Sequence, residues 1–517
     1  MLRGILTIGV WTMGSRVLGF LRDMLMAALI GAGPLGDAFV VANRLPNMFR
    51  SLFAEGAFNA AFVPEFSGIL QAKGPDQARR FAEQTFGVMA FWLIALTVLA
   101  ELAMPLIVGL LLVGQRGDDA HLALVVDLAR ITFPYMPLIC LTALLSGVLN
   151  GLDRFAAAAA APVVYNLTSM AFMVGLAGLV PTTGHALAWG VSASGVFQLA
   201  LVAWGTWHSG MALHLVRPRL SPEIRTLLRR MAPGLLAAGV TQLNLSLDVV
   251  IAGFLPSGTQ SALYYANRLN QLPIGIIGVA VGTAMLPMLS RQVAAGELSA
   301  SRTTLNRALE YALVLTLPAA LALATVPLPI MSVLFQRGAF DAHAALISSQ
   351  TLSAYAVGLP AFVLIKVLVP GLFARGDTKT PMRWGLASVA LNIALNIAFM
   401  GPFAHRGPAL AASCAAWFNV AAVCVVLYRR GFFQPDAQLL RHAPRMALAA
   451  AAMVASLLAL DTELFQGLTG LARYAGLAAL VGGGGLAYGL AGEALGAFHL
   501  RELAGQLRRR QRLKNPT

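Results

Sequence analysis

Charge is what this sequence has least of. Only 11% of its 517 residues are Asp, Glu, Lys or Arg, against roughly 25% in a soluble domain, and its mean hydropathy is +0.73. A water-soluble enzyme is excluded, and a polytopic membrane protein is implied. Cysteine is scarce: Cys140, Cys414 and Cys424 sit singly in apolar runs, without the spacing of a zinc site or a disulfide framework. No Walker A sequence, metal-ligand cluster or nucleophile elbow occurs, so no nucleotide partner and no catalysis are expected. Any driving force must then be an ion gradient, the membrane potential or consumption of product. No small-residue cleavage site follows MLRGILTIGVWTMG, which reads as a first transmembrane helix rather than a signal peptide. The formal charge of +15 does not imply nucleic acid, because most Lys and Arg lie in short segments between apolar spans.

Counting ~20 apolar residues per span, the sequence predicts fourteen, beginning near Ile5, Asp37, Phe81, Leu122, Ala158, His185, Leu227, Ala262, Leu309, Ala345, Met382, Pro408, Pro444 and Leu471. With the N-terminus in the cytoplasm, 26 of the 37 Lys and Arg fall inside and only Arg116, Arg337, Arg406 and Arg473 outside. That asymmetry places both termini in the cytoplasm. The chain also repeats itself. ANRL at 42–45 recurs at 266–269, Pro64 and Ser67 recur as Pro287 and Ser290, QRG at 115–117 recurs at 336–338, and Gly147 and Asp153 recur as Gly371 and Asp377. Six spans per repeat is an even number, so the halves share an orientation and are related by a pseudo-two-fold axis along the membrane normal. The expected fold is all-α: a six-helix lobe at 1–215, a second at 216–430, and two extra helices with a basic cytoplasmic tail at 431–517. The last helix carries GGGG at 482–485, a small-residue face for close approach of a helix or a lipid chain.

The polar residues inside the spans carry the chemistry. If the first span starts near Ile5, a rise of ~1.5 Å per residue puts Arg16 roughly 16 Å deep and Arg22 roughly 26 Å along; if the second starts near Asp37, Arg44 is about 10 Å and Arg50 about 20 Å in. An arginine near the midplane costs at least ~2.5 kcal/mol, so it normally faces a water-filled cavity or a partner. The alternative is snorkelling to the headgroups, or pairing with Asp23, Asp37 or Glu55. Asn43, Asn47 and Arg50 share one helix face, and Asn267, Asn270 and Gln271 repeat the pattern beside Arg268. Arg16, Arg22, Arg44, Arg50 and Arg268 around one cavity would hold a polyanion such as a diphosphate, because the guanidinium fork matches phosphate oxygens. Asp248 with Asn392 and Asn396 forms a candidate sodium site, and a hydrogen-bonded structural acid is the competing reading. Prolines 134, 137, 233, 273, 318, 327, 329, 360 and 370 interrupt the spans and mark expected kinks, whose freed backbone groups neighbours or cavity water must satisfy.

SRVLGFLRD, GDAFVVANRLPNMFR, AEGAFNAAFVP, YYANRLNQLPIG and KVLVPGLFARGDTKTP resemble the MurJ (MviN) family of lipid II flippases, within the multidrug/oligosaccharidyl-lipid/polysaccharide exporter superfamily. The resemblance implies fourteen helices in two lobes, a central cationic cavity, a lateral portal between the first and eighth helices, and a groove of the last two helices for a polyprenyl tail. It implies carriage of undecaprenyl-diphosphate-linked disaccharide pentapeptide, lipid II, from the inner to the outer leaflet of the bacterial cytoplasmic membrane during peptidoglycan synthesis. The family's essential arginines match Arg16, Arg22, Arg50 and Arg268, its essential acid matches Asp37, and Arg44 stands where relatives often have lysine. Asn267 and Gln271 stand where some relatives carry acids, and Asn396 lacks the charge of a sodium-binding acid. Membrane lipids and other cell-wall synthesis proteins are candidate partners of a carrier acting as a monomer. Export of another polyprenyl-linked oligosaccharide or of drugs, and a polyprenyl-phosphate-handling membrane enzyme, are the competing readings.

Overall fold

The computed structural model describes residues 2–54, 57–115, 117–464, 468, 470 and 472–498. Glu55, Arg116 and the basic tail with Arg501, Arg508, Arg509, Arg510, Arg512 and Lys514 lie outside the described residues. Among those described, the chain forms helices and no strand. An apolar run in lipid has no water for its backbone, and a helix bonds every amide within the segment. Ten helical segments are long and apolar enough to cross a membrane. The protein is an all-α polytopic membrane protein, and the expected spans near Ile5, Asp37, Leu227 and Ala262 lie on helices too.

The first compact unit comprises Met1–Ser261 together with Arg337–Asp341. It holds α1 (Leu2–Ile30), α2 (Pro34–Ala54), α3 (Ala57–Lys73), α4 (Pro75–Leu111), α5 (Asp119–Thr132), α6 (Tyr135–Gly151), α7 (Phe155–Gly175), α8 (Thr183–His208) and α9 (Pro222–Ala252). The starts are written in the sequence. Asp118 and Ser221 accept hydrogen bonds from the amides of His121 and Ile224, and Pro222 occupies the first helical position of α9, where its missing N–H costs nothing. Phe58, Phe62 and Phe66 form a stack on α3, with centroids 5.0 and 5.7 Å apart, and Phe81 of α4 joins it at 5.6 Å. These buried rings fix α3 against α4 and α6.

Two loops of this unit are exchanged between the repeats. A Cβ on Gly114, in the loop of the 115–117 motif, would meet Phe254 and the Gly253 carbonyl at the end of α9. The second copy of that motif lies at the end of α1, where Ala339 N–H donates to Ala28 O at 2.8 Å. Gly338 has φ +55°, and a Cβ there would stand 2.2 Å from the same carbonyl, so no larger residue fits.

The second unit comprises Ala262–Gln336 and Ala342–Thr517. It holds most of α10 (Thr259–Pro273), then α11 (Val279–Ala294), α12 (Leu298–Thr325), α13 (Pro327–Phe335), α14 (Ala342–Phe373), α15 (Lys379–Phe399), α16 (Gly407–Arg429), α17 (Ala437–Leu464) and α18 (Ala472–Ala494). Leu305, Leu309, Val363, Val367 and Leu427 of α12, α14 and α16 share its core. The prolines act unevenly. Pro134 separates α5 from α6 and Pro273 precedes a π turn at Ile274–Gly278, whereas Pro318, Pro360 and Pro370 stay inside continuous helices. One missing N–H removes a single ladder bond, and packed neighbours hold such a helix together. Two glycines of the run on α18 serve helix packing: a Cβ on Gly483 or Gly484 would stand 2.7 or 2.6 Å from Leu460 or Leu457 of α17, whereas Gly482 and Gly485 meet nothing within 4 Å.

Candidate functional site

α2 presents the polar face that its spacing predicts. Asn47 Nδ2 donates to Asn43 O at 2.8 Å, and Arg50 Nε donates to Asn47 Oδ1 at 3.1 Å, so the amide orients the guanidinium along one face. Arg44 and Arg50 are half-buried. The helix is held from two sides, by Thr132 Oγ1 of α5 donating to Ala42 O at 3.3 Å and by Gln242 Nε2 of α9 donating to Ser51 Oγ at 2.8 Å.

On α1 the two arginines part company. Arg16 is exposed from the protein, on a helix that Asn166 of α7 grips by donating to Ser15 O at 3.1 Å. Arg22 is 8% exposed, bonds Asp23 Oδ1 through Nη2 at 2.8 Å, and lies with its guanidinium carbon 5.0 Å from the Tyr165 ring centroid. This is the pairing anticipated for Arg22, with an aromatic face added. The role of Asp37 differs from that of a group lining a cavity. Its carboxylate is 2% exposed and accepts from Gly258 N at 2.6 Å and from Ser261 N and Oγ at 2.7 Å each. It therefore caps the turn that opens α10, and its bonding partner Ser261 is 224 residues away, the offset of the ANRL repeat.

In the second unit Arg268 is half-buried, with its guanidinium carbon 5.5 Å from the Tyr264 ring centroid. Asn267 is half-buried, Asn270 is buried, and Gln271 is exposed. The π turn follows directly, and Gly278 leaves room for the stem of Lys366, whose Cδ lies 2.9 Å from where a Cβ would be. Asp248 is half-buried on α9 of the first unit, while Asn392 and Asn396 are buried on α15 of the second, where Asn396 Nδ2 donates to Asn392 O at 3.0 Å. Among the described residues no three His, Cys, Asp or Glu side chains group as metal ligands. Spacing along single helices did not reveal Tyr165, Asn166, Gln242 or Ser261. Asn166 is a lone amide in an apolar run, which is a readable signal, Gln242 is one of several polar residues in TQLNLSLD and does not stand out there, and Ser261 was reachable through the repeat offset.

A family model described as "Lipid II flippase MurJ" matches residues 26–476. The chain belongs to the MurJ family. A Rhizobium tropici protein named "Probable lipid II flippase MurJ" is 45% identical over 452 residues, covering 87% of this chain and 85% of that one. A Burkholderia cenocepacia protein named "Lipid II flippase MurJ" is 34% identical over 443 residues, covering 85% and 86%. Among solved structures, one described as "Lipid II flippase MurJ, inward closed conformation" shares the fold at TM-score 0.77 and 24% identity, covering 96% of this chain and 99% of that one. An inward-facing multidrug transporter of the MATE family aligns at TM-score 0.62 and 15% identity, covering 80% and 93%, which extends the fold likeness to the wider superfamily.

Proposed function

We propose that this chain is a flippase that moves lipid II from the inner to the outer leaflet of the cytoplasmic membrane by alternating access, without catalysing a covalent step. The observation that carries the reading is the match of the MurJ family model over residues 26–476, a stretch that includes the bonded Asn43–Asn47–Arg50 face. In this reading fourteen spans form two six-helix lobes with two further helices, and both termini are cytoplasmic. Arg16, Arg44, Asn47, Arg50, Asn267, Arg268 and Gln271 contact the substrate, with guanidinium forks on the diphosphate. Arg22 and Asp37 are positioning residues, fixed by Asp23 and Tyr165 and by the Gly258–Ser261 turn respectively. A sodium ion at Asp248, Asn392 and Asn396 is a secondary coupling route, since neutral amides attract a cation weakly. The experiment is depletion of the protein in cells with labelled lipid II. Accumulation in the inner leaflet, reversed by the wild-type chain and not by Arg50→Ala, supports the reading, and unchanged transbilayer distribution refutes it.

A further inference from the structure

We propose that a cleft on the first unit, formed where the segment after α8 crosses the start of α4, binds a phosphate-bearing anion. The cleft is open to one side, has a volume of about 380 Å³ and is lined by Arg80, Glu83 and Gln84 of α4 and by Val216, Arg217 and Arg219 of the crossing segment. Among the described residues, none of these three guanidinium groups has a hydrogen bond or an ion pair. Neighbouring arginines do have partners: Arg79 pairs with Asp76 on the same helix, and Arg230 pairs with Glu65.

The crossing segment is fastened in place. Met211 is buried and its N–H donates to Thr206 O at 3.0 Å. His214 N–H donates to Glu83 Oε1 at 3.1 Å, and the His214 ring Nδ1 lies 3.0 Å from the same oxygen. Val216 O then rests on Gly87 of α4, where a Cβ would stand only 2.4 Å away, so only glycine allows the crossing. Beyond this anchor the run has no regular secondary structure, and it carries two exposed arginines, Arg217 and Arg219, two residues apart. Pro218 between them stiffens the backbone. Among the described residues one carboxylate lines the cleft, Glu83, and it is already engaged by His214, so three exposed arginines share the lining with one satisfied acid.

Three arginines lining one concave space can turn their planar forks onto phosphate oxygens, and a basic pocket beside membrane helices is a known way of holding phosphorylated headgroups. The bound anion would tie Arg80 of α4 to Arg217 and Arg219, and so fix the segment leading into α9. Its chemistry is that of a phosphate mono- or diester or a pyrophosphate, supplied by a lipid headgroup or by a soluble anion.

The test uses the full-length protein and reads its melting temperature. One arm titrates inorganic pyrophosphate onto detergent-solubilised protein; the other compares nanodiscs of phosphatidylcholine with and without phosphatidylglycerol. The cleft variant is Arg217→Gln/Arg219→Gln, the control is Arg229→Gln on the exposed face of α9, and Arg217→Lys/Arg219→Lys keeps the charge without the forks. We expect saturable stabilisation in at least one arm, weakened at least tenfold in the glutamine variant, intermediate in the lysine variant and unchanged in the control. Stabilisation by phosphatidylglycerol alone identifies a lipid headgroup, and stabilisation by pyrophosphate identifies a soluble anion. No stabilisation in either arm, or stabilisation that the cleft variant retains or the control loses equally, overturns the proposal.

Discussion

Replacing Asp37 by alanine removes a buried acceptor that serves three donors, Gly258 N, Ser261 N and Ser261 Oγ, at 2.6 to 2.7 Å. Hydrogen bonds to a charged group are each worth about 1.5–3 kcal/mol, and a buried donor left without a partner costs about 1–3 kcal/mol. These overlap, so the loss at the helix start is roughly 3–5 kcal/mol, with the capping contribution of about 0.5–2 kcal/mol inside it. Since every 1.4 kcal/mol is tenfold, local opening around Gly258–Ser261 should become roughly a hundred- to a few thousandfold more frequent. Asp37→Asn keeps one acceptor for Ser261 but turns an N–H₂ toward Gly258 N–H, for a loss of about 1–2 kcal/mol. Hydrogen–deuterium exchange resolved to the peptide spanning 258–261 measures this directly. Alanine should abolish protection there, with asparagine intermediate. If Asp37→Ala abolishes transport while protection of 258–261 is unchanged, the carboxylate acts on the substrate and the capping argument is wrong.

Arg268→Lys retains the charge but not the fork, and should impair flipping while membrane insertion stays normal; full activity in complementation would mean that charge alone suffices. Thr380 Oγ1–H and N–H, and then Arg430, donate to the ionised Asp377 carboxylate at the turn before α15, and hold its pKa well below the ordinary 3.8. A depressed folded-state value stabilises fully above pH 3.8 and fades as pH falls below it, so Asp377→Asn should flatten the acid limb of the melting profile; identical limbs in both proteins would contradict this. Transport should follow the membrane potential more than a sodium gradient, since one charge crossing the full field is worth ~2.3 kcal/mol per 100 mV. Undiminished flipping in vesicles clamped at zero potential with a sodium gradient, lost in Asp248→Asn, would establish sodium coupling instead.

Local chemistry was legible and tertiary partnership was not. The polar face of α2 could be read from the spacing of Asn43, Asn47 and Arg50, because a helix fixes which residues are neighbours. The pairing of Arg22 with Asp23 was legible as adjacency in the chain. Tyr165 over that pair was not, since it comes from α7 and nothing on α1 encodes it. Asp37 is the instructive case. It was marked as a candidate arginine partner at the start of a span and by the family resemblance, yet its donors lie more than 220 residues downstream, and only the repeat offset linked it to Ser261. A proline's missing donor shows in the sequence, whereas the packing that compensates for it does not.

The exchanged loops bear on how the chain is assembled. The loop of the first repeat rests on the end of α9, and the loop of the second rests on the end of α1 through Ala28, Gly338 and Ala339. Each copy of the repeat thus has its first helix finished by the other copy, in the manner of arms traded between two partners. A cut anywhere between Gly253 and Gly338 leaves an N-terminal fragment whose α1 has lost its closing contact. Such a fragment should reach its native state only when the complementary piece is synthesised in the same membrane.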